Sequence, residues 1–255
     1  MRRSSTALLP LLALSLLTGC VPSSRYLTPG PPASFFALGL TQGEVEALTD
    51  HDIRSLYERK PATTIPAVVG IAHLQGKEYR SYTSRGYGQG EFTLVSTREV
   101  ETETDMQRLA SMARVRALAL LNRMVIPENI SSLKELRYGA ASVHADVLLI
   151  YTFDTRFETR TTIPFLGFLS LGLAPDENIK VTSTATAALI DVRTGYVYLL
   201  AENSERLSKL AAAWNSSSAI DSGRKLAESR AFAGLVDEIE RGWAGVIERL
   251  EPTPP

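Results

Sequence analysis

The sequence predicts an α/β domain with a mixed, mainly antiparallel sheet and helices packed chiefly on one face. Three observations predict it. Asp146–Phe153 is a dense run of apolar and β-branched residues, Ile179–Val192 and Tyr196–Leu200 flank a turn, and a long apolar stripe of helical period closes the chain. Strands followed by a helix with one apolar face must bury that face against the sheet.

The amino terminus is set aside first, because it reads as a targeting segment. Arg2 and Arg3 form a positive region, Ala7–Leu17 is almost wholly apolar, and Leu17-Thr18-Gly19-Cys20 follows. The apolar run is shorter than the ~20 residues a spanning helix needs. The only cysteine of the chain stands where bacterial lipoproteins carry theirs. The four residues resemble a lipobox, which implies cleavage between Gly19 and Cys20, lipid on Cys20, and a membrane anchor through that lipid. Val21 in place of Asp resembles outer-membrane sorting, with the domain facing the periplasm.

Removing residues 1–19 from 255 leaves 236, enough for one or two domains. Lys and Arg then number 25 against 28 Asp and Glu, about −3 in net charge. No basic surplus points to nucleic acid. With Cys20 acylated, no thiol remains for a disulfide or a thiolate metal site. The core must be an ordinary hydrophobic one, and 44% apolar residues can supply it.

In chain order, residues 20–40 carry Pro22, Pro29, Gly30, Pro31 and Pro32 and read as an extended tether. Residues 41–64 form a short helical lead-in. Thr41-Gln42-Gly43-Glu44 and Thr49-Asp50-His51-Asp52 look like helix starts, Ile53, Leu56 and Tyr57 give an amphipathic helix, and Pro61 stops it. The main domain spans 65–250, with a Pro-rich tail at 251–255. Ala67–Ala72 suits a buried strand. A hairpin is expected between Tyr79–Ser84 and Phe92–Thr97, turning at Gly86, Gly88 and Gly90. Met106–Met112 is helical, and Val115–Leu121 fits strand and helix templates alike.

Ser132-Leu133-Lys134-Glu135 is a capping box, after which Leu133, Leu136, Ala140 and Val143 line one helix face. Asp146–Phe153 follows as a strand. Asp191, Thr194 and Gly195 mark the turn of the hairpin that joins the last two strands. Phe232, Leu235, Val236, Ile239, Trp243, Val246, Ile247 and Leu250 fall on one stripe, while Asp237, Glu238, Glu240, Arg241 and Glu248 lie elsewhere. A stripe of this kind docks more often on its own sheet than on a partner.

Chemistry is scarce. His51, His73 and His144 are far apart and lack the close-spaced partners of a zinc site, so no metal and no other cofactor is expected. His144 and Asp146 flank a strand start, where a capping role fits. Gly86-Tyr87-Gly88-Gln89-Gly90 precedes a strand-like run with Glu91 at its head, not the helix and Lys-Ser/Thr of a phosphate loop. No Gly-x-Ser-x-Gly elbow is present, and no catalytic residue is assigned. Asn129-Ile130-Ser131 and Asn215-Ser216-Ser217 match the glycosylation acceptor, but the lipobox resemblance implies a bacterial chain, in which the match is expected to arise by chance.

Ile163–Ala174 is twelve residues without a charge between two strands. Connections are normally polar and exposed. Ile163, Phe165, Leu166, Phe168, Leu169, Leu171 and Leu173 form either a crossing tucked into the core or a contact with a subunit, a partner or a membrane.

The lipobox, the Pro-rich tether, the strand after a capped helix and the text Asp191-Val192-Arg193-Thr194-Gly195-Tyr196-Val197 together invite a comparison. From Ala67 to Leu250 the chain resembles the superfamily holding the curli secretion lipoprotein CsgG, the peptidoglycan-synthase activator LpoB and the amino-terminal domain of TolB. The resemblance implies a non-enzymatic envelope lipoprotein. Its work would be contact with a protein partner in an assembly, secretion or peptidoglycan-synthesis machine, and a homo-oligomer is compatible with it. An oligomeric export channel is the alternative, although Ile163–Ala174 lacks the strict alternation of a barrel strand. A periplasmic hydrolase or metal enzyme is the third reading, which the motifs do not favour.

Overall fold

The computed structural model describes residues 30–34, 48–77, 79–81, 83–161, 177–210 and 217–251. The elements run α1 (Asp50–Glu58), β1 (Ala67–Gly76), β2 (Phe92–Leu94), α2 (Glu103–Ser111), β3 (Val115–Leu120), α3 (Leu133–Ser142), β4 (Val147–Thr161), β5 (Glu177–Asp191), β6 (Val197–Leu210) and α4 (Ser217–Leu250). The domain is α/β with a mixed, mostly antiparallel sheet, as the sequence predicts.

β1 organises the sheet. Its first half pairs in parallel with β3 on one side, and Val69–His73 pair in parallel with Val147–Tyr151 of β4 on the other. Its last residues, Leu74–Gly76, pair antiparallel with β2. A strand flanked on both sides and covered on both faces reads as a continuous apolar run, and nine of its ten residues are buried. Pairing with β1 also settles Val115–Leu120 as a strand. β4 and β5 pair over all fifteen residues, and β6 follows antiparallel at the sheet edge.

Two helices lie on one face and one on the other, because alternate strand residues point to opposite sides. Val147, Leu149, Tyr151 and Phe153 share a core with Met106 and Leu109 of α2 and with Phe232, Leu235, Val236, Ile239 and Trp243 of α4. Leu148 and Ile150 join Leu136 and Ala140 of α3 in the opposite core. The terminal stripe therefore docks on its own sheet.

Beyond Tyr151, β4 leaves β1 and continues with β5 and β6 as a projecting arm. The helix α4 is matched to it. Thirty-four residues at 1.5 Å give about 51 Å, and fifteen strand residues at about 3.3 Å give about 50 Å. The first half of α4 rests on the arm through Ile220 and Ala227 against Val181. That half has few apolar residues, so the stripe at Phe232–Leu250 marks only the second half.

Three expectations change. Phe92–Leu94 does not pair with Tyr79–Ser84. It takes the free edge of β1 beyond β3, while Tyr79–Gly86 closes on itself through Gly86 N–H to the Tyr79 carbonyl. Gly86 and Gly90 permit close approach: a Cβ at Gly86 would stand 1.6 Å from Thr93 Cγ2, and one at Gly90 would stand 2.2 Å from the Ile130 carbonyl oxygen. The end of the tether also joins the domain. Pro31 has no N–H to donate, yet its carbonyl accepts from Gly76 N–H at 2.8 Å, and Ala33 N–H donates to Thr152 Oγ1 at 2.8 Å. Finally, α1 forms with a Thr49–Asp52 capping box but buries no residue, leaving Ile53, Leu56 and Tyr57 exposed.

Candidate functional site

The turn marked by Asp191, Thr194 and Gly195 is a fully formed polar centre. One Asp191 oxygen accepts from the N–H groups of Arg193 (2.8 Å) and Thr194 (2.9 Å). The other accepts from Ala62 N–H, Thr63 N–H and the Tyr198 hydroxyl at 2.7–2.9 Å. Burial works against this carboxylate, but the Tyr198 phenol and the backbone donors outweigh it and hold its pKa below the usual range. Gly195 adopts φ +74, the left-handed region that glycine enters without strain. The Asp-x-x-Thr-Gly text thus ties the lead-in after α1 to the β5–β6 hairpin, a structural role. Arg137 braces the same turn from α3, donating to the carbonyls of Val192 (2.8 Å) and Arg193.

A second polar centre lies between the sheet and α4, and the sequence does not announce it. His73 of β1 stacks on Tyr151 at 4.7 Å, with Nδ1 3.2 Å from Glu101 Oε1. The Tyr151 hydroxyl donates to the same oxygen at 2.6 Å. Burial pushes Glu101 up, while the imidazole and the phenol pull it down further, to about 2. Beside it Arg224 of α4, 2% exposed, reaches Glu99, Asp221 and Glu228. Glu228 also accepts from Thr155 at 2.8 Å, and Thr155 meets Ser183 at 3.0 Å. Burial raises the pKa of Glu228 against the pull of Arg224 and Thr155. These residues converge from β1, β4, β5, α4 and the segment after β2. Only long-range pairing assembles them, which is why spacing along the chain gives no signal.

General acid–base work requires a substrate within hydrogen-bond reach of the titrating group. A cavity of about 620 Å³ lies on the opposite face of the arm. Ala33, Thr152, Arg156, Thr184, Leu200 and Arg206 line it. The period-two run Thr182, Thr184, Thr186 is the sequence signal of this face, since its partners Val181, Ser183, Ala185 and Ala187 are buried under α4. Arg224 thus joins α4 to the segment after β2 through Glu99, Glu228 joins it to the arm through Thr155, and the trough on the opposite face is open.

The remaining candidate residues are scattered or lie elsewhere. His51 is exposed on α1, and His144 ends α3 with φ +58. Asp146 accepts from Val68 N–H and pairs with Arg193 at the β4 start. Among the described residues no group of three or more His, Cys, Asp or Glu could hold a metal. Among them, too, no helix is long and apolar enough to cross a membrane. Gly19 and Cys20 lie outside the described residues, as do Ile163, Phe165, Leu166, Phe168, Leu169, Leu171 and Leu173. The last described residues on either side, Thr161 and Glu177, pair with each other at the end of the arm.

No family model and no curated protein matches the chain. Among solved structures, the hypothetical protein CT253 of Chlamydia trachomatis is similar at 15% identity. The match covers 68% of this chain and 95% of that one, with a TM-score of 0.31.

Proposed function

We propose that the chain is a lipoprotein held at the outer membrane through Cys20, with its domain in the periplasm. There it acts without catalysis as an accessory or scaffold protein for an envelope assembly, secretion or peptidoglycan-synthesis machine. The observation that carries the reading is the Leu17-Thr18-Gly19-Cys20 text after an eleven-residue apolar run, with no other cysteine in the chain. The resemblance to the CsgG, LpoB and TolB superfamily supports the class of work.

The geometry of the arm supports the membrane side of the reading. Gly30–Ala33 docks beside Thr152, where the arm leaves β1. From there β4 runs nine residues to Thr161, about 30 Å. The ten residues from Cys20 to Gly30 reach up to about 35 Å when extended. The tether thus has the length to bring its lipid level with the end of the arm, where the uncharged Ile163–Ala174 is attached. We assign that segment to contact with the bilayer or a membrane-bound partner.

Replacing Cys20 with Ala should release the protein from membranes and abolish incorporation of radioactive palmitate, because the acyl chains supply about 0.8 kcal/mol per buried methylene. A Cys20→Ala protein that stays lipid-labelled would refute the anchor.

A further inference from the structure

The edge of the sheet carries an inference of its own. β6 is fourteen residues long, contains no proline, and among the described residues pairs with no strand other than β5. A long free edge exposes a row of backbone donors and acceptors, and proteins cover, break or pair such edges. The side chains of β6 alternate cleanly. Leu200, Glu202, Ser204, Arg206 and Ser208 are exposed on the open face, and Ala201, Asn203, Glu205 and Leu207 turn toward α4. Asn203 donates to the Ala231 carbonyl and Arg249 to the Tyr198 carbonyl, so the helix fixes the strand from behind, and among the described residues no strand other than β5 bonds to the backbone of residues 199–208.

The open-face charges are placed symmetrically about Ser204. Glu202 lies two residues before it and Arg206 two residues after. Among the described residues neither forms an ion pair; Glu202 accepts only from Thr186 Oγ1, at 3.2 Å. We propose that β6 pairs antiparallel with β6 of a second copy about a two-fold axis through Ser204. In this register Glu202 of each copy faces Arg206 of the other, Leu200 faces Ser208, and Ser204 faces itself. Directly opposed residues stand about 4.5–5.5 Å apart at Cβ, within ion-pair reach for Glu and Arg. Residues of equal parity meet, so both open faces lie on one side and both α4 helices on the other. The sheet becomes continuous across the axis. The contact is isologous and closes on itself, which consumes both free edges without building a fibre. It stands apart from the lipid anchor, since every residue it uses is in the folded domain.

Charge exchange tests it. In the full chain with Cys20→Ser, sedimentation should show a dimer that both Glu202→Arg and Arg206→Glu convert to monomer. Each variant places like charges opposite each other. Mixing the two single variants should restore a 1:1 heterodimer, since each Arg again meets a Glu, and the Glu202→Arg, Arg206→Glu double variant should dimerise by itself. Restoration also shows that each single variant is folded. In the same background Ser204→Cys should cross-link to a disulfide dimer, whereas Ser208→Cys should not, its two copies lying about 26 Å apart along the strands. A wild-type monomer, a dimer indifferent to both reversals, a mixture that stays monomeric, or equal cross-linking at 204 and 208 overturns the proposal.

Discussion

Trp243→Ala measures how far the terminal helix belongs to the fold. The indole is 1% exposed, sits in the core shared by β4, α2 and α4, and donates from Nε1 to the Ala113 carbonyl at 2.8 Å. Truncating a buried aromatic costs about 3–5 kcal/mol through lost transfer energy and the cavity left behind. The lost hydrogen bond adds little, because Ala113 is exposed and water can replace the donor. The expected loss is about 4 kcal/mol, a large part of the ~5–15 kcal/mol that holds a domain together. In urea, where the denaturant slope is about 2 kcal/mol per M, the midpoint should fall by about 2 M with the slope unchanged. Leu226→Ala, on an exposed part of the same helix, is the control and should stay within about 0.5 kcal/mol. A Trp243→Ala change no larger than that control would show that the stripe is not part of the core and refute the packing argument.

Asp191→Ala should destabilise by about 3 kcal/mol or more in the same urea assay, because the donors of Ala62, Thr63, Arg193, Thr194 and Tyr198 lose their common acceptor. Gly195→Ala should cost about 1 kcal/mol through its φ of +74, and an unchanged midpoint would remove the strain argument. Glu101 has a folded pKa of about 2, below its unfolded value, so its contribution is complete above pH ~4.5 and is lost as pH falls toward 2. Glu101→Gln should flatten acid unfolding in that window, and an unaltered acid limb would discount the His73–Glu101–Tyr151 contact. Glu228 acts with the opposite sign. Its raised pKa means that protonation favours the folded state, so Glu228→Gln should weaken the fall in stability as pH rises through the folded pKa. Phe165→Asp with Leu169→Asp should leave the thermal melt unchanged while ending liposome flotation, whereas unfolding would assign the segment to the core.

Elements whose signal is local were legible in the sequence. The Ser132–Glu135 cap, the apolar run of β4 and the stripe of Phe232–Leu250 each depend on neighbours within a few residues, and each element forms there. The Ser131 and Ser132 N–H groups do reach the Glu135 carboxylate, at 2.7 and 3.0 Å. What depends on distant pairing was not legible. Phe92–Leu94 looks like half of a local hairpin with Tyr79–Ser84, but it pairs with the edge of β1 and locally only with Tyr87, through Leu94. Polar residues hide the first half of α4, because that half binds the arm through Glu228 as well as through Ile220 and Ala227, and the segment after β2 through Arg224. Ile53, Leu56 and Tyr57 give α1 an amphipathic helical period, yet they stay exposed, with no surface to bury against among the described residues. The spacing of Asp191 to Thr194 and Gly195 marks it as a turn residue, yet its bonds to Ala62 and Thr63 exist only in the folded chain.

Mass spectrometry of the protein purified from native membranes tests the anchor directly. The amino-terminal peptide should begin at Cys20, with the mass of a diacylglycerol thioether on sulfur and, where the amine is also modified, a further acyl chain. A peptide that retains Met1–Gly19, or one that begins elsewhere and carries an unmodified Cys20, would contradict the account.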